Sequence, residues 1–172
     1  MDQYPWLAVT HGQALRFFFE HLRDVSDDGR VPEAELLYNA SVLAHFATTS
    51  SASTEFPGTP TNLGSVFTLF VMDRSQHADP DVMEAAASQC LLLTGFFGAQ
   101  LRQRHNVEWF ATIGAGFYGQ AAHLGGGARA AMMRTMAARF PYWRRNYARL
   151  ARELHESPLL IDLARGPSGA GM

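Results

Sequence analysis

The chain contains no lysine and one cysteine, Cys90, among its 172 residues. One cysteine cannot form an internal disulfide or a cysteine-based zinc cluster, which excludes a disulfide scaffold and a zinc finger and favours a reducing compartment. No apolar stretch follows a basic N-terminus, so we expect no signal peptide and a cytoplasmic location. Hydrophobic residues make up 47% of the chain and charged residues 17%, a balance that indicates a folded protein rather than a disordered one.

Sequence patterns for metal and nucleophile chemistry are also missing. The seven histidines include no H-E-x-x-H motif, and no Glu-x-x-His occurs, so we expect no metal and no cofactor. No G-x-S-x-G motif is present, and Cys90 falls on an apolar helical face, where burial should leave the thiol inert. His45 also lies in an apolar helical stretch, and we interpret it as a core histidine rather than a haem ligand.

A G-x-G-x-x-G pattern, Gly114 to Gly119, occurs in the middle of the chain. A dinucleotide fingerprint needs a strand before it, a helix after it and an acid about twenty residues later. No strand pattern precedes it here, and the next acid is Glu153. We therefore interpret the glycines as a close helix contact, with the region 91–97 filling the space over them, and we expect Gly116→Ala to destabilise the fold.

Hydrophobic spacing predicts an all-α bundle of about six helices around a central apolar helix at 79–104. Leu93 and Phe97 should both be buried in that helix. A single domain is predicted over 1–164, followed by a flexible tail at 165–172. The predicted helices cover 6–24, 32–46, 61–74, 79–104, 107–123, 128–139 and a C-terminal segment that Pro141 kinks or restarts, and a Ser/Thr-rich loop is predicted at 48–61.

Charge is divided unevenly along the chain. Residues 1–86 contain 12 acids and 4 arginines, whereas residues 87–172 contain 4 acids and 10 arginines. Either the two halves neutralise each other within the fold, or the arginines form an exposed patch for an acidic partner. The patch hypothesis places partner contacts on five arginines: Arg102, Arg104, Arg145, Arg149 and Arg152.

Arginines alternate with aromatic residues in these segments, which is compatible with single-stranded nucleic acid. However, Trp143 and Tyr147 share an apolar helix face, and the pI near 6.4 is unlike that of a nucleic-acid binder. We therefore do not favour nucleic acid. The uncharged stretch 109–128 contains six glycines, so we expect no membrane span.

Three segments resemble a pattern found in uncharacterised helical proteins of proteobacteria. They are the sequence CLLLTGFF from Cys90 to Phe97, RQRHNV from Arg102 to Val107, and GFYG from Gly116 to Gly119. The resemblance covers about 84–122 and implies an all-helical bacterial cytosolic protein, without an activity.

Three function classes are compatible with the sequence. We favour a non-catalytic interaction or regulatory protein that contacts a protein partner or a second copy of itself, as in a homodimer. The alternative is a binder of an apolar small molecule in a pocket lined by Phe97, His105, Trp109 and Tyr118. A further alternative is an enzyme of unrecognised class, for which the candidate polar cluster is His105, Glu108 and Tyr118.

Overall fold

The computed structural model describes residues 11–26, 30–52, 77–103 and 105–156. The fold is all-α, as predicted, and none of the described residues lies in a β-strand. The predicted helix at 61–74 and the predicted tail at 165–172 lie outside the described residues. The helices are α1 (His11–Val25), α2 (Glu33–Ala52), α3 (Pro80–Leu91), α4 (Gly98–Leu101), α5 (Val107–Leu124), α6 (Gly127–Ala138) and α7 (Phe140–Glu156), and a π-helical segment (Leu92–Phe96) separates α3 from α4.

Contacts within the chain group it into two compact units. Unit 1 consists of Met1–Pro57 and Arg149–Met172, and unit 2 consists of Gly58–Ala148. None of the helices in the described residues combines the length and the apolar character that crossing a bilayer requires.

Unit 1 is built on the packing of α1 against α2. The buried side chains of α1 recur every four residues at Ala14, Phe18 and Leu22, which is the spacing of one helix face. Pro32 precedes α2, and Glu33 and Glu35 occupy its first turn, where the helix dipole favours acids.

Two expectations about α2 are corrected. The predicted loop at 48–61 begins too early, because α2 continues to Ala52, while 53–61 lie outside the described residues. Serine and threonine lower helix propensity by only a few tenths of a kcal/mol each, which does not end a helix that lacks glycine and proline. His45 is exposed and is therefore not a core histidine.

The first helix of unit 2, α3, begins where the Asp-Pro signal predicted. The Asp79 carboxylate accepts a hydrogen bond from the Asp81 backbone N–H at 2.9 Å, and Pro80 occupies the first turn. Its inner face is fully buried. That face comprises Met83, Ala86, Ala87, Cys90 and Leu91.

The predicted continuous helix at 79–104 is wrong in one respect. The α-helix ends at Leu91, and Leu92–Phe96 form a π-helical turn in which the Phe97 N–H donates to the Leu92 carbonyl at 3.2 Å. Leu93 and Phe97 are nevertheless both buried, as predicted. The Thr94 hydroxyl donates to the Cys90 carbonyl at 2.7 Å, which supplies a local side-chain bond at this irregular turn.

The remaining boundaries of unit 2 follow their sequence signals. The Asn106 side chain caps α5 by accepting from the Trp109 N–H at 3.1 Å. The glycine run ends α5, and Gly127 has a φ of 67°, a left-handed conformation that favours glycine. Pro141 lies in the first turn of α7, so the proline restarts a helix, as predicted.

Gly114 is the packing glycine of the G-x-G-x-x-G pattern. A Cβ atom on Gly114 would lie 2.6 Å from the Cys90 Cβ and 2.8 Å from the Phe140 ring. The helices α3 and α5 therefore meet at this position. The expectation for Gly116 is wrong, because Gly116 is exposed and a Cβ there would meet nothing within 4 Å. The nearest residues to that position are Cys90 and Phe140 rather than the region 91–97.

Candidate functional site

Trp109 is the most exposed large aromatic side chain of the described residues, with 41% of its surface accessible. It lies in the first turn of α5, and its backbone N–H is fixed by the Asn106 cap. Its indole packs edge-on against the Phe110 ring at a centroid distance of 5.0 Å. His105 contacts the same ring at 6.2 Å. The indole is thus partly covered by the fold and partly exposed to solvent.

An ion pair adjoins Trp109 in sequence and joins α5 to α7. Arg144 donates from Nη1 and Nη2 to the two Glu108 carboxylate oxygens at 2.8 and 2.9 Å. The Arg144 side chain is 16% exposed, whereas that of Glu108 is 74% exposed. The geometry is the two-pronged arrangement in which arginine binds a carboxylate most strongly.

Arg144 also binds the π-helical segment. Its Nε donates to the Thr94 carbonyl at 3.1 Å. A Cβ on Gly95 would lie 3.1 Å from the Arg144 carbonyl and 2.9 Å from the Tyr147 Cβ, so the backbones of the π turn and α7 meet here. One guanidinium therefore connects α5, α7 and the π turn. The sequence missed this role, since Leu92–Phe96 has apolar spacing that fits an α-helix equally well.

Arg144 has the largest effect on the pKa of Glu108. Its hydrogen bonds and charge lower the pKa of the Glu108 carboxyl, and Arg102 lowers it further by charge alone. Arg102, Glu108 and Trp109 are all exposed, and we call them the Trp109 surface.

The five candidate partner-binding arginines differ in exposure. Arg102, Arg145 and Arg152 are exposed. Arg149 is half-buried and donates from Nη1 to the Val25 carbonyl at 3.3 Å, at the C-terminal end of α1. Arg104 lies outside the described residues.

The four candidate pocket residues differ in position and in burial. His105 and Trp109 lie near the N-terminal end of α5, whereas Tyr118 lies nine residues beyond Trp109, about 13 Å along the helix axis. Tyr118 is fully buried and its ring lies 6.1 Å from Phe140. Phe97 is buried and contacts Phe96 edge-on at 5.0 Å.

Two members of the candidate enzymatic cluster lie far apart on α5. Glu108 and Tyr118 are ten residues apart on α5, about 15 Å along its axis. Burial raises the pKa of the Cys90 thiol to about 12, so Cys90 holds its proton at neutral pH, as its predicted inertness requires. Burial also raises the pKa of the Tyr147 phenol, with a smaller contribution from Tyr118. The described residues contain no group of three or more acids, histidines and cysteines placed to hold a metal ion.

Some of the charge division is neutralised inside unit 2. Arg129 on α6 pairs with Asp81 at 2.7 Å and with Glu84, both on α3. These acids belong to the acidic half of the sequence and Arg129 to the basic half. At this position, internal neutralisation accounts for the charges.

Neither known protein families, nor curated proteins, nor solved structures include a significant match to this chain.

Proposed function

We propose that this chain is a non-catalytic helical protein that acts through protein–protein contacts, with the Trp109 surface as its contact site. The observation that supports the proposal is the exposed indole of Trp109 in a unit that also exposes an arginine, Arg102, whose charge acts on the adjacent residue Glu108. Tryptophan and arginine are enriched among the few residues that dominate binding energy at protein interfaces.

The accessible area of Trp109 is large enough to contribute measurably to binding. A tryptophan exposes roughly 250 Å² when fully accessible, so the accessible part of Trp109 is about 100 Å². Burying that area contributes about 2.5 kcal/mol, which corresponds to about 60-fold in Kd. The indole is also supported by Phe110, so little side-chain freedom remains to be lost on binding.

Composition favours a protein over a nucleic acid, because the pI near 6.4 is unlike that of a nucleic-acid binder. A protein partner can place an acid against Arg102 and an apolar side chain against the indole. The proposal includes a bacterial, cytoplasmic setting, which the single cysteine and the resemblance to proteobacterial helical proteins support.

Site-specific photo-crosslinking in the organism that encodes the chain tests this proposal. Trp109 is replaced by benzoylphenylalanine in one variant, and His123, an exposed residue at the other end of α5, is replaced in the control. We expect one discrete protein adduct from position 109, identified by mass spectrometry, and none from position 123. Equal adducts from both positions, or no protein adduct from position 109, would overturn the proposal.

A further inference from the structure

Positive charge accumulates on α6 and α7. Residues 109–152 contain seven arginines and no acid. Arg129 and Arg144 are already held by carboxylates of α3 and α5. Arg145 is exposed and forms no ion pair with any residue that the structure describes. The surface around Arg145 therefore carries positive charge that the described part of the chain leaves unneutralised.

Asn146, the next residue of α7, is a buried amide whose nitrogen has no acceptor. The residue is 1% exposed, and Nδ2 has no hydrogen-bond partner among the described residues. Trp143 and Leu150, three residues before it and four after it, are fully buried, so an apolar side chain at position 146 would continue their face. A buried donor without an acceptor lowers stability. Such a local conflict is typical of residues that serve binding rather than packing.

Tyr142 lies beside this amide and beside two arginines. The Arg139 guanidinium lies over the Tyr142 ring, 4.3 Å from its centroid. The Trp143 N–H donates to the Arg139 carbonyl at 3.0 Å, so Arg139 shares the helical register of α7. Residues three or four apart on a helix are surface neighbours, which places Arg145 and Asn146 next to Tyr142. We call Arg139, Tyr142, Arg145 and Asn146 the Tyr142 cluster; all four belong to unit 2.

The chemistry of the Tyr142 cluster selects an anion with several oxygens. Its two guanidinium groups, phenol and amide can all donate hydrogen bonds. A phosphate monoester has three strong acceptor oxygens and nearly two negative charges at neutral pH, whereas a carboxylate has two oxygens and one charge. Arginine binds phosphate in a two-pronged geometry. The terminal torsion of asparagine is broadly distributed, so the Asn146 amide can turn toward an oxygen that its neighbours hold.

We propose that the Tyr142 cluster binds a phosphate group. Arg139 and Arg145 neutralise its charge, while the Tyr142 hydroxyl and the Asn146 amide donate to its oxygens. The phosphate is either the free anion or the monoester of a small molecule, since both present the same acceptors. This site uses no residue of the Trp109 surface, so it adds a second binding function and does not depend on the first.

Isothermal titration calorimetry of the purified full chain tests the inference near neutral pH and at constant ionic strength. The probes are inorganic phosphate, glycerol 3-phosphate and, as the carboxylate, acetate. We expect saturable binding of phosphate at one site per chain, and binding of acetate at least about tenfold weaker. Tighter binding of glycerol 3-phosphate than of inorganic phosphate would assign the monoester as the source, and the reverse order would assign the free anion.

Substitutions within the Tyr142 cluster should weaken phosphate binding. Arg145→Gln and Tyr142→Phe should each raise the dissociation constant at least about fivefold, because each removes one donor. Arg134→Gln is the matched control, since Arg134 is an exposed arginine of α6 outside the cluster, and it should change the constant by less than about twofold. Circular dichroism must show the same helix content in every variant that is compared.

Asn146→Leu separates binding from packing. Without phosphate, this variant should have a Tm about 2 to 8 °C above the wild type, because the unpaired amide is removed. Its dissociation constant for phosphate should nevertheless rise at least about fivefold. A residue with a purely structural role would not combine higher stability with weaker binding.

Three results would overturn the inference. The first is the absence of saturable binding of either phosphate probe up to about 20 mM. The second is binding of acetate as tight as that of phosphate, or equal weakening by Arg134→Gln. The third is an Asn146→Leu variant that binds phosphate as tightly as the wild type.

Discussion

Substituting two glycines of α5 by alanine should change stability in opposite directions. At Gly114 the new Cβ would lie 2.6 Å from the Cys90 Cβ and 2.8 Å from the Phe140 ring. Carbon atoms in van der Waals contact lie about 3.5 to 4.0 Å apart, so α3 and α5 would have to separate by about 1 Å. Overpacking of this kind costs about 1 to 3 kcal/mol, while replacing a helical glycine returns about 1 kcal/mol. We expect a net loss of about 1 to 2 kcal/mol.

Gly116→Ala is the matched control on the same helix. A Cβ there meets nothing within 4 Å, so only the helix propensity changes and unfolding should become harder by about 0.5 to 1 kcal/mol. Urea unfolding followed by tryptophan fluorescence measures the difference, since Trp109 and Trp143 both belong to unit 2. If Gly114→Ala is as stable as the wild type, the close contact between α3 and α5 does not exist as described.

Other substitutions test the core and the Arg144 contacts. Phe97→Ala should lower the free energy of unfolding by about 3 to 5 kcal/mol if the site cannot collapse; a loss below about 1 kcal/mol in urea unfolding would show that the side chain is not packed. Arg144→Gln should lower the free energy of unfolding by about 1 to 2 kcal/mol, because the Thr94 carbonyl and Glu108 both lose a charged donor. Glu108→Gln should cost less than about 1 kcal/mol because Glu108 is exposed. Equal losses of the two variants in urea unfolding would contradict this order. The pKa of Glu108 is lowered in the folded state. The wild type should therefore be more stable to unfolding than Glu108→Gln near neutral pH, and this stability difference should disappear as pH falls from about 5 through the folded pKa. A stability difference that grows in acid would contradict the direction of the pKa shift. Cys90 should react with a thiol reagent at neutral pH only after urea unfolding, because burial raises its pKa to about 12; rapid reaction of the native chain would refute its burial.

The helix boundaries that the sequence predicted have chemical markers. Asp79 with Pro80 begins α3, the glycine run ends α5, and Pro141 restarts α7. Each marker changes a backbone conformation or fills a capping position. Its effect is therefore local and can be predicted from the sequence alone. The apolar faces of α3 and α7 were predicted for a similar reason, because helical spacing alone determines which side chains share a face.

The π turn had no such marker. Leu92–Phe96 carries apolar residues at spacings that an α-helix accommodates equally well, and the deviation is supported by groups distant in sequence. Arg144 donates to the Thr94 carbonyl from fifty residues away, and α7 meets Gly95 at a distance that no other residue type permits without movement. The packing role of Gly114 could not be predicted from the sequence for the same reason. Only the close approach of Cys90 and Phe140 in the fold distinguishes Gly114 from Gly116.

The charge division shows why the sequence located candidate arginines but did not rank them. Counting by halves places Arg129 in a basic segment, yet its partners Asp81 and Glu84 lie beside it in unit 2. Arg144 and Arg149 are likewise held, by Glu108 and by the Val25 carbonyl. Contacts group the chain by unit rather than by half, and the units still differ in sign. Among the exposed arginines, Arg102 is the one whose charge acts on Glu108, next to Trp109 in the sequence, so its reversal should most affect the proposed contact.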